Sequence, residues 1–243
     1  MKKSKELLAI IPARAGSTRI RDKNIRQFCG KPLIAHTILQ ARENSLIDRV
    51  IVDTDSPKIA AIARRYGAGV PFLRPKRLAT ANASVNDAIL LLLNKLKKEE
   101  GYEPTHFMLL QTTSPLREQK DINECWDLMA RADADTVLTV CQTNPRFYHL
   151  DEERNLILVN RPKGAFSTNT QDWRKGYVLN GCFVYVVRTP VFLKEKNVYT
   201  KKIKAVVCDS WRSVDLDYPA DFVVAEYLYK ARNKLASRIK NFK

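Results

Sequence analysis

Ile10-Ile11-Pro12-Ala13-Arg14-Ala15-Gly16-Ser17-Thr18-Arg19-Ile20-Arg21-Asp22-Lys23-Asn24 is an apolar run that breaks into a turn of small residues crowded with cations. Residues 7–11 read as a buried strand. Pro12 ends it, because proline fixes its own φ and cannot donate to a strand ladder. Ala13, Ala15, Gly16 and Ser17 let the backbone approach a ligand with its N–H groups turned inward, while Arg14, Arg19, Arg21 and Lys23 fix positive charge around the same point. Such a loop at a strand's carboxyl end suits a polyphosphate. It is not a Walker loop, since no Gly-Lys-Ser/Thr follows, and not a dinucleotide fingerprint, since Gly16 stands alone. The competing reading is a solvated basic turn.

Outward from this loop, apolar strands and amphipathic helices alternate. Residues 32–43 have helical periodicity, residues 49–53 form a short strand, and Ser56 with Pro57 starts a helix reaching about residue 66. Residues 70–73 read as a third short strand before Pro75. The loop 78–84 leads into an apolar helix over 85–96. A strand at 106–110 delivers Gln111-Thr112-Thr113-Ser114-Pro115-Leu116-Arg117, a helix covers 121–132 and a strand 136–141. This order predicts βαβ units and a three-layer α/β fold whose mostly parallel sheet binds ligands at its carboxyl edge, where the first loop and Gln111 share one crevice.

The alternation fails over 142–176, which reads as an excursion from a core made of 1–141 and 177–243. Order returns with a long strand at 177–187, another at 203–207 and a helix from 218 onward.

With 243 residues, 45% of them hydrophobic, the chain can bury a sizeable core. No segment approaches membrane-spanning length and no secretory leader is recognisable, so a cytoplasmic protein is expected. Cys29, Cys125, Cys141, Cys182 and Cys208 are odd in number and widely spaced, which predicts reduced thiols rather than disulfides or zinc. His36, His106 and His149 are similarly isolated. The net charge of +16 favours phosphates or acidic partners. Lys230, Arg232, Lys234, Arg238, Lys240 and Lys243 supply part of it on what reads as a solvated helix, without the interleaved aromatics of a nucleic-acid platform.

Asp215-Leu216-Asp217 is a second candidate site. In an extended segment carboxylates two apart point the same way and can approach one divalent cation, which magnesium accepts when phosphates and water complete its shell. Asp217 also precedes Tyr218-Pro219 and could instead be an N-cap.

The first loop, with its Lys23-Asn24 pair, resembles the signature of the acylneuraminate cytidylyltransferases, the CMP-sialic acid synthetases and their relatives for legionaminic and pseudaminic acid. Lys31-Pro32-Leu33-Ile34, Thr54-Asp55-Ser56, the stretch from Leu110 to Arg117, Leu179-Asn180-Gly181 and Asp215-Leu216-Asp217 follow in the family's order over nearly the whole chain. The resemblance implies a Rossmann-like fold of the nucleotide-diphospho-sugar transferase type, and an excursion that pairs two subunits and helps close the neighbour's sugar pocket. The implied reaction joins CTP to a nine-carbon sialic-acid-like sugar, giving the CMP-sugar and pyrophosphate.

Arg14, Ser17 and Lys23 match positions around the triphosphate, and Asn24, Arg74, Ala83 and Ser84 fall near positions that hold cytidine. Gln111 and Asn180 match sugar-side positions. Asp215 and Asp217 match the carboxylates that bind Mg2+, with Asp217 or a metal-held hydroxide as proton acceptor. Three residues depart from the pattern: Thr18 replaces a lysine, whose role could pass to Arg19 or Arg21. Ala81 replaces an aspartate. Val178 replaces an arginine, for which Arg161, Lys163 or Arg174 could substitute. The alternatives are a cytidylyltransferase for the eight-carbon acid Kdo and a non-catalytic nucleotide- or nucleic-acid-binding protein on the same fold.

Overall fold

Side chains of the first strand, β1 (Leu7–Pro12), alternate between two apolar layers, as a period of two requires. Leu7, Ala9 and Ile11 pack on one face of the sheet, while Leu8 and Ile10 pack on the other. The computed structural model that shows this describes residues 6–159 and 167–242.

After β1 come a two-residue ribbon of β2 (Gln27–Phe28) and β3 (Lys31–Pro32), then α1 (Leu33–Arg42), β4 (Arg49–Asp53), α2 (Pro57–Arg65), α3 (Val85–Glu100), β5 (His106–Leu109) and α4 (Gln119–Arg131). The chain continues through β6 (Thr136–Thr143), a hairpin of β7 (Tyr148–Leu150) and β8 (Leu156–Leu158), β9 (Gly176–Leu179), β10 (Tyr185–Arg188), α5 (Thr189–Glu195), β11 (Ile203–Cys208) and α6 (Pro219–Lys240). The main sheet has the order β11-β6-β10-β5-β1-β4, with β9 also paired to β6. Neighbours β11 and β6, β5 and β1, and β1 and β4 are parallel. Strands β9 and β10 run antiparallel to theirs. Helices α1, α2 and α4 cover one face through Ile34, Ile38, Ile59, Ile122 and Met129. Helices α3 and α5 cover the other through Ile89, Leu92, Leu96 and Phe192. The mainly parallel three-layer arrangement is therefore the one the alternation predicts.

Two local expectations fail, and one short helix was not foreseen. Residues 70–73 form no strand: one bridge joins Ile51 to Gly69, and Pro71 then lacks the N–H a ladder needs. The expected strand 177–187 is two strands, because the chain turns at Gly181, whose φ is +69°. Helix α5 had no periodic signal, being only seven residues long and started by Pro190. The excursion contains the β7–β8 hairpin, whose Leu150 and Leu156 are exposed. Helix α6 lies across the β2–β3 ribbon through a cluster of Ile20, Phe28, Leu33, Leu216, Phe222 and Ala225.

Candidate active site

Three contacts fasten the first loop to the carboxyl ends of its neighbouring strands, and a fourth closes the loop on itself. Ala13 N–H donates to Asp53 O at 2.9 Å, and Ala15 N–H to Asp55 Oδ1 at 2.9 Å. Asn24 Nδ2 donates to Arg14 O at 2.9 Å, while its Oδ1 accepts from Thr112 Oγ1 at 2.6 Å. Thus fixed, the loop walls a cleft of about 420 Å3 with Arg14, Ser17, Thr18, Arg19, Lys23 and Asn24. Opposite stand Arg74, Thr80, Ala81, Ala83 and Val85, with Gln111, Thr112, Thr113 and Asp217 completing the lining. The loop and Gln111 share one crevice, as expected for a carboxyl-edge site.

Arg74 forms a buried ion pair with Asp53, its Nη2 lying 2.7 Å from Oδ2, and also donates to Asp53 O at 3.0 Å. Burial raises the Asp53 carboxyl above its ordinary value, although the Arg74 hydrogen bond and charge work against that rise. The pair ties the end of β4 to the segment before Leu78, so this wall of the cleft is held by charge as well as packing.

Across the cleft, Lys23 Nζ donates to Leu216 O at 2.6 Å, which seats the ammonium at the backbone between Asp215 and Asp217. Burial lowers the Lys23 pKa, and the charges of Asp217 and then Asp215 oppose that shift. Asp217 is half-exposed and pairs with Arg19 Nη1 at 3.0 Å. Arg19 also stacks over the Tyr218 ring at 5.1 Å. Asp215 is more deeply set. Burial raises its pKa, a Thr113 hydrogen bond lowers it, and the Asp217 charge raises it further. Its Oδ1 is buried with no hydrogen-bond partner among the described residues. An orphaned carboxylate oxygen beside a second carboxylate and a polyphosphate-sized cleft fits a divalent cation, since a carboxylate oxygen buried this way lacks the partner that a cation would supply.

Asp217 does not cap α6. The Asp221 carboxylate does, accepting from Tyr218 N–H at 2.7 Å and from Asp217 N–H at 3.0 Å.

Of the residues singled out from sequence, Arg14, Ser17, Lys23, Asn24, Arg74, Ala83, Gln111 and Asp217 line the cleft together. Ser84 is placed otherwise: its Oγ accepts from Asn86 N–H at 3.1 Å and caps α3. Asn180 is buried behind the site, accepting from Thr139 Oγ1 at 2.9 Å and donating to Ser213 Oγ at 3.1 Å. Asp215 adjoins the same turn, because a Cβ on Gly181 would stand 2.9 Å from its Cγ. Arg19, not Arg21, joins Thr18 in the cleft wall. Arg161 and Lys163 lie outside the described residues, and Arg174 borders a separate recess with Trp173.

Sequence reading missed Asp53, whose role depends on Arg74. It placed Thr112 and Arg117 only within the stretch from Gln111 to Arg117, without the bridge to Asn24 that Thr112 completes. Arg117 is buried and donates to Gln111 O at 2.7 Å, to Gln40 Oε1 at 3.0 Å and to Phe183 O. Burial pulls its pKa down to about 10. Asp53 and Thr112 lie at or just after strand carboxyl ends, and Arg117 follows on the same loop after β5. Among the described residues all five cysteines are free thiols, and His36 and His106 are buried away from the cleft.

A sequence profile of the cytidylyltransferase family matches residues 8–233. The chain is 33% identical over 229 residues to a CMP-N,N'-diacetyllegionaminic acid synthase from Legionella pneumophila, covering 91% of this chain and 95% of the relative. It is 28% identical to a pseudaminic acid cytidylyltransferase from Campylobacter jejuni, covering 94% and 98%. Among solved structures, a CMP:2-keto-3-deoxy-manno-octonic acid synthetase complexed with CTP superposes with a TM-score of 0.68 at 15% identity, over 93% of this chain and 99% of that one. That last likeness shows the fold alone.

Proposed function

Because the chain belongs to the cytidylyltransferase family, we propose that it joins the CMP moiety of CTP to the anomeric hydroxyl of a nonulosonic acid, a nine-carbon sugar acid, releasing pyrophosphate. The observation that carries this reading is the single cleft in which loop cations, Arg74, Gln111 and Asp217 converge, with Lys23 seated between Asp217 and Asp215. A basic wall suits a triphosphate, and the carboxylates suit a cation and a proton.

The sugar's anomeric oxygen attacks the α-phosphorus of CTP. A new P–O bond forms, the bond to the bridging oxygen breaks, and pyrophosphate leaves with that electron pair. Arg14, Ser17 and Lys23 hold the triphosphate, and Arg19 supplies the charge that Thr18 cannot. Lys23 opposes the charge building on the leaving group, and its place in the cleft is fixed by its bond to Leu216 O before substrate arrives. The walls bearing Asn24, Arg74 and Ala83 enclose the cytidine, and the capped start of α3 sets the height of that wall through Ser84. Gln111 contacts the sugar. Asn180 supports the turn against which Asp215 rests. The attacking hydroxyl's proton passes to Asp217 Oδ2, since Arg19 occupies Oδ1.

Asp215 and Asp217 would hold a magnesium ion, which when bound neutralises triphosphate charge and offsets carboxylate repulsion. The hairpin and the exposed apolar residues beside it, Leu150, Leu156 and Val159 at 58%, 65% and 62% exposure, support a homodimer formed through the excursion. No helix among the described residues is long and apolar enough to cross a membrane. The reading places the enzyme in the cytoplasm with the nucleotide pool.

A pyrophosphate-release panel tests the assignment. CTP should be consumed with an N-acylated nonulosonic acid and Mg2+, and UTP, ATP and GTP hardly at all. Equal turnover with UTP would remove the cytidine assignment, and turnover only with the eight-carbon acid would move the enzyme to the Kdo group.

A further inference from the structure

Three residues before Asp215 stands a buried ion pair that the cleft does not use. Arg212 closes a single 3-10 turn, Ser210–Arg212, and meets Asp121 in the first turn of α4, each side chain being 2% exposed. The two join fork to fork: Nη1 donates to Asp121 Oδ2 at 2.7 Å and Nη2 to Oδ1 at 2.9 Å. Nη1 also donates to Leu116 O at 3.3 Å, and Nε to Asp209 Oδ2 at 3.3 Å. Asp121 is fixed in turn, because its Oδ2 accepts from Glu118 N–H at 2.8 Å. A pair buried this way adds little stability over apolar side chains of the same volume, whereas its two parallel bonds add a set direction. Neither residue lines the cleft.

We propose that Arg212 and Asp121 are positioning residues for Asp215, fixing the turn that keeps its buried oxygen away from protein donors and so available to a cation. The chain from 209 to 216 is tied at both ends. Upstream, Ser213 Oγ donates to Asp209 O at 2.9 Å and accepts from Asn180 Nδ2 at 3.1 Å, which locks the turn that Arg212 anchors to α4. Downstream, Leu216 N–H donates to Thr113 O at 3.0 Å. Asp215 is held between these anchors, with Oδ1 buried and unbonded among the described residues. On a slack segment the carboxylate would turn to a donor or to water, because an unpaired buried oxygen is costly. The part of this inference that concerns turnover rests on the cytidylyltransferase reading above, and the part that concerns the carboxylate's placement does not.

The test is a mutant cycle in the full chain. Arg212→Met combined with Asp121→Asn removes both charges together, leaves none unpaired in the core, and keeps an oxygen to accept from Glu118 N–H. Asp215→Asn is added to the wild type and to this pair variant, and thermal midpoints are compared at pH 7 without metal or nucleotide. The amide should raise the wild-type midpoint, and in the pair variant the rise should shrink by about half or more, the sign of coupled sites. An equal rise in both backgrounds, or none in the wild type, overturns the proposal. If the pair variant does not fold, Arg212→Lys takes its place in the cycle, since an ammonium keeps the charge and loses the fork. Turnover supplies the second readout. With CTP, a nonulosonic acid and Mg2+, kcat of the pair variant should fall roughly 10- to 100-fold, the effect of a small misplacement, and its half-maximal rate should need more Mg2+, while Arg212→Lys should recover part of both. A pair variant with a lowered midpoint but wild-type kcat and Mg2+ requirement would make the pair structural only. If the wild type turns over CTP with no sugar acid, the cytidylyltransferase reading falls and the midpoint cycle still decides the positioning.

Discussion

Asp215, proposed above as a magnesium ligand, is held in the fold against the preference of its own charged form. Burial, the largest influence, raises its pKa, so the folded protein favours the protonated acid. A folded pKa above the unfolded value of about 3.9 gives stability that is complete below that value and lost as pH rises through the folded one. At neutral pH the ionised carboxylate therefore opposes folding unless a cation meets it. Asp215→Asn is expected to raise the thermal midpoint of the ligand-free protein at pH 7 and to lower turnover by about 10²–10³-fold, the loss typical of a missing transition-state electrostatic contact. A lower midpoint would show instead that the carboxylate is structural. Asp217 makes the complementary case. Since Asp221 caps α6, Asp217→Asn should leave unfolding unchanged while reducing turnover and magnesium dependence. Wild-type turnover in the folded variant would exclude Asp217 from proton transfer.

At the scale of elements, the turn between β9 and β10 joins backbone geometry to the site. Gly181 has φ +69°, and a Cβ there would meet Asp215 Cγ at 2.9 Å. Gly181→Ala should destabilise by about 1–2 kcal/mol from the backbone alone, read by urea unfolding. It should also reduce turnover more than affinity for CTP, because the displaced group is one of the two carboxylates proposed to hold magnesium.

Helix α6 offers a second element-level test. His36 bridges α1 to α6, with Nε2 2.8 Å from Phe28 O and Nδ1 3.2 Å from the Tyr229 hydroxyl. In the neutral ring that satisfies both contacts, Nε2–H donates and Nδ1 accepts. Burial lowers the His36 pKa, with the Phe28 carbonyl pulling the other way. A depressed pKa means stability present above the unfolded value near 6.5 and lost as pH falls through the folded value. Unfolding midpoints should drop below about pH 6.5 in the wild type, and Tyr229→Phe should remove about 0.5–1.5 kcal/mol at pH 7. An unchanged midpoint in that variant would mean the bridge contributes nothing.

For the molecule as a whole the net charge is +16, and Arg14, Arg19, Lys23 and Arg74 are the part of the positive charge that lines the cleft. Attraction of a polyanion across such a surface is screened over about 8–10 Å at ordinary salt. KM for CTP should therefore rise as sodium chloride is increased from about 50 to 500 mM, with a smaller effect on kcat. A salt-independent KM would assign binding to hydrogen bonds alone. The apolar hairpin should make the protein dimeric by sedimentation at micromolar concentration, and Leu150→Asp with Leu156→Asp should yield a folded monomer. A wild-type monomer would refute that assembly.

The sequence alone was sufficient for the helices other than α5, the parallel strands and the convergence of the first loop with Gln111, because periodicity and strand-end chemistry are local properties. It also supplied the family, since the motifs keep their order along the chain. It could not decide which way a motif side chain faces. Ser84 turns back to cap α3, and Asn180 is buried between Thr139 and Ser213, because each makes hydrogen bonds whose partners are set by the surrounding fold. Nor could it reveal the Asp53–Arg74 and Asp121–Arg212 pairs, which exist only where distant segments meet. Those depend on which strands become neighbours, and the insertion of β10 between β5 and β6 is a non-local pairing that only the assembled sheet fixes.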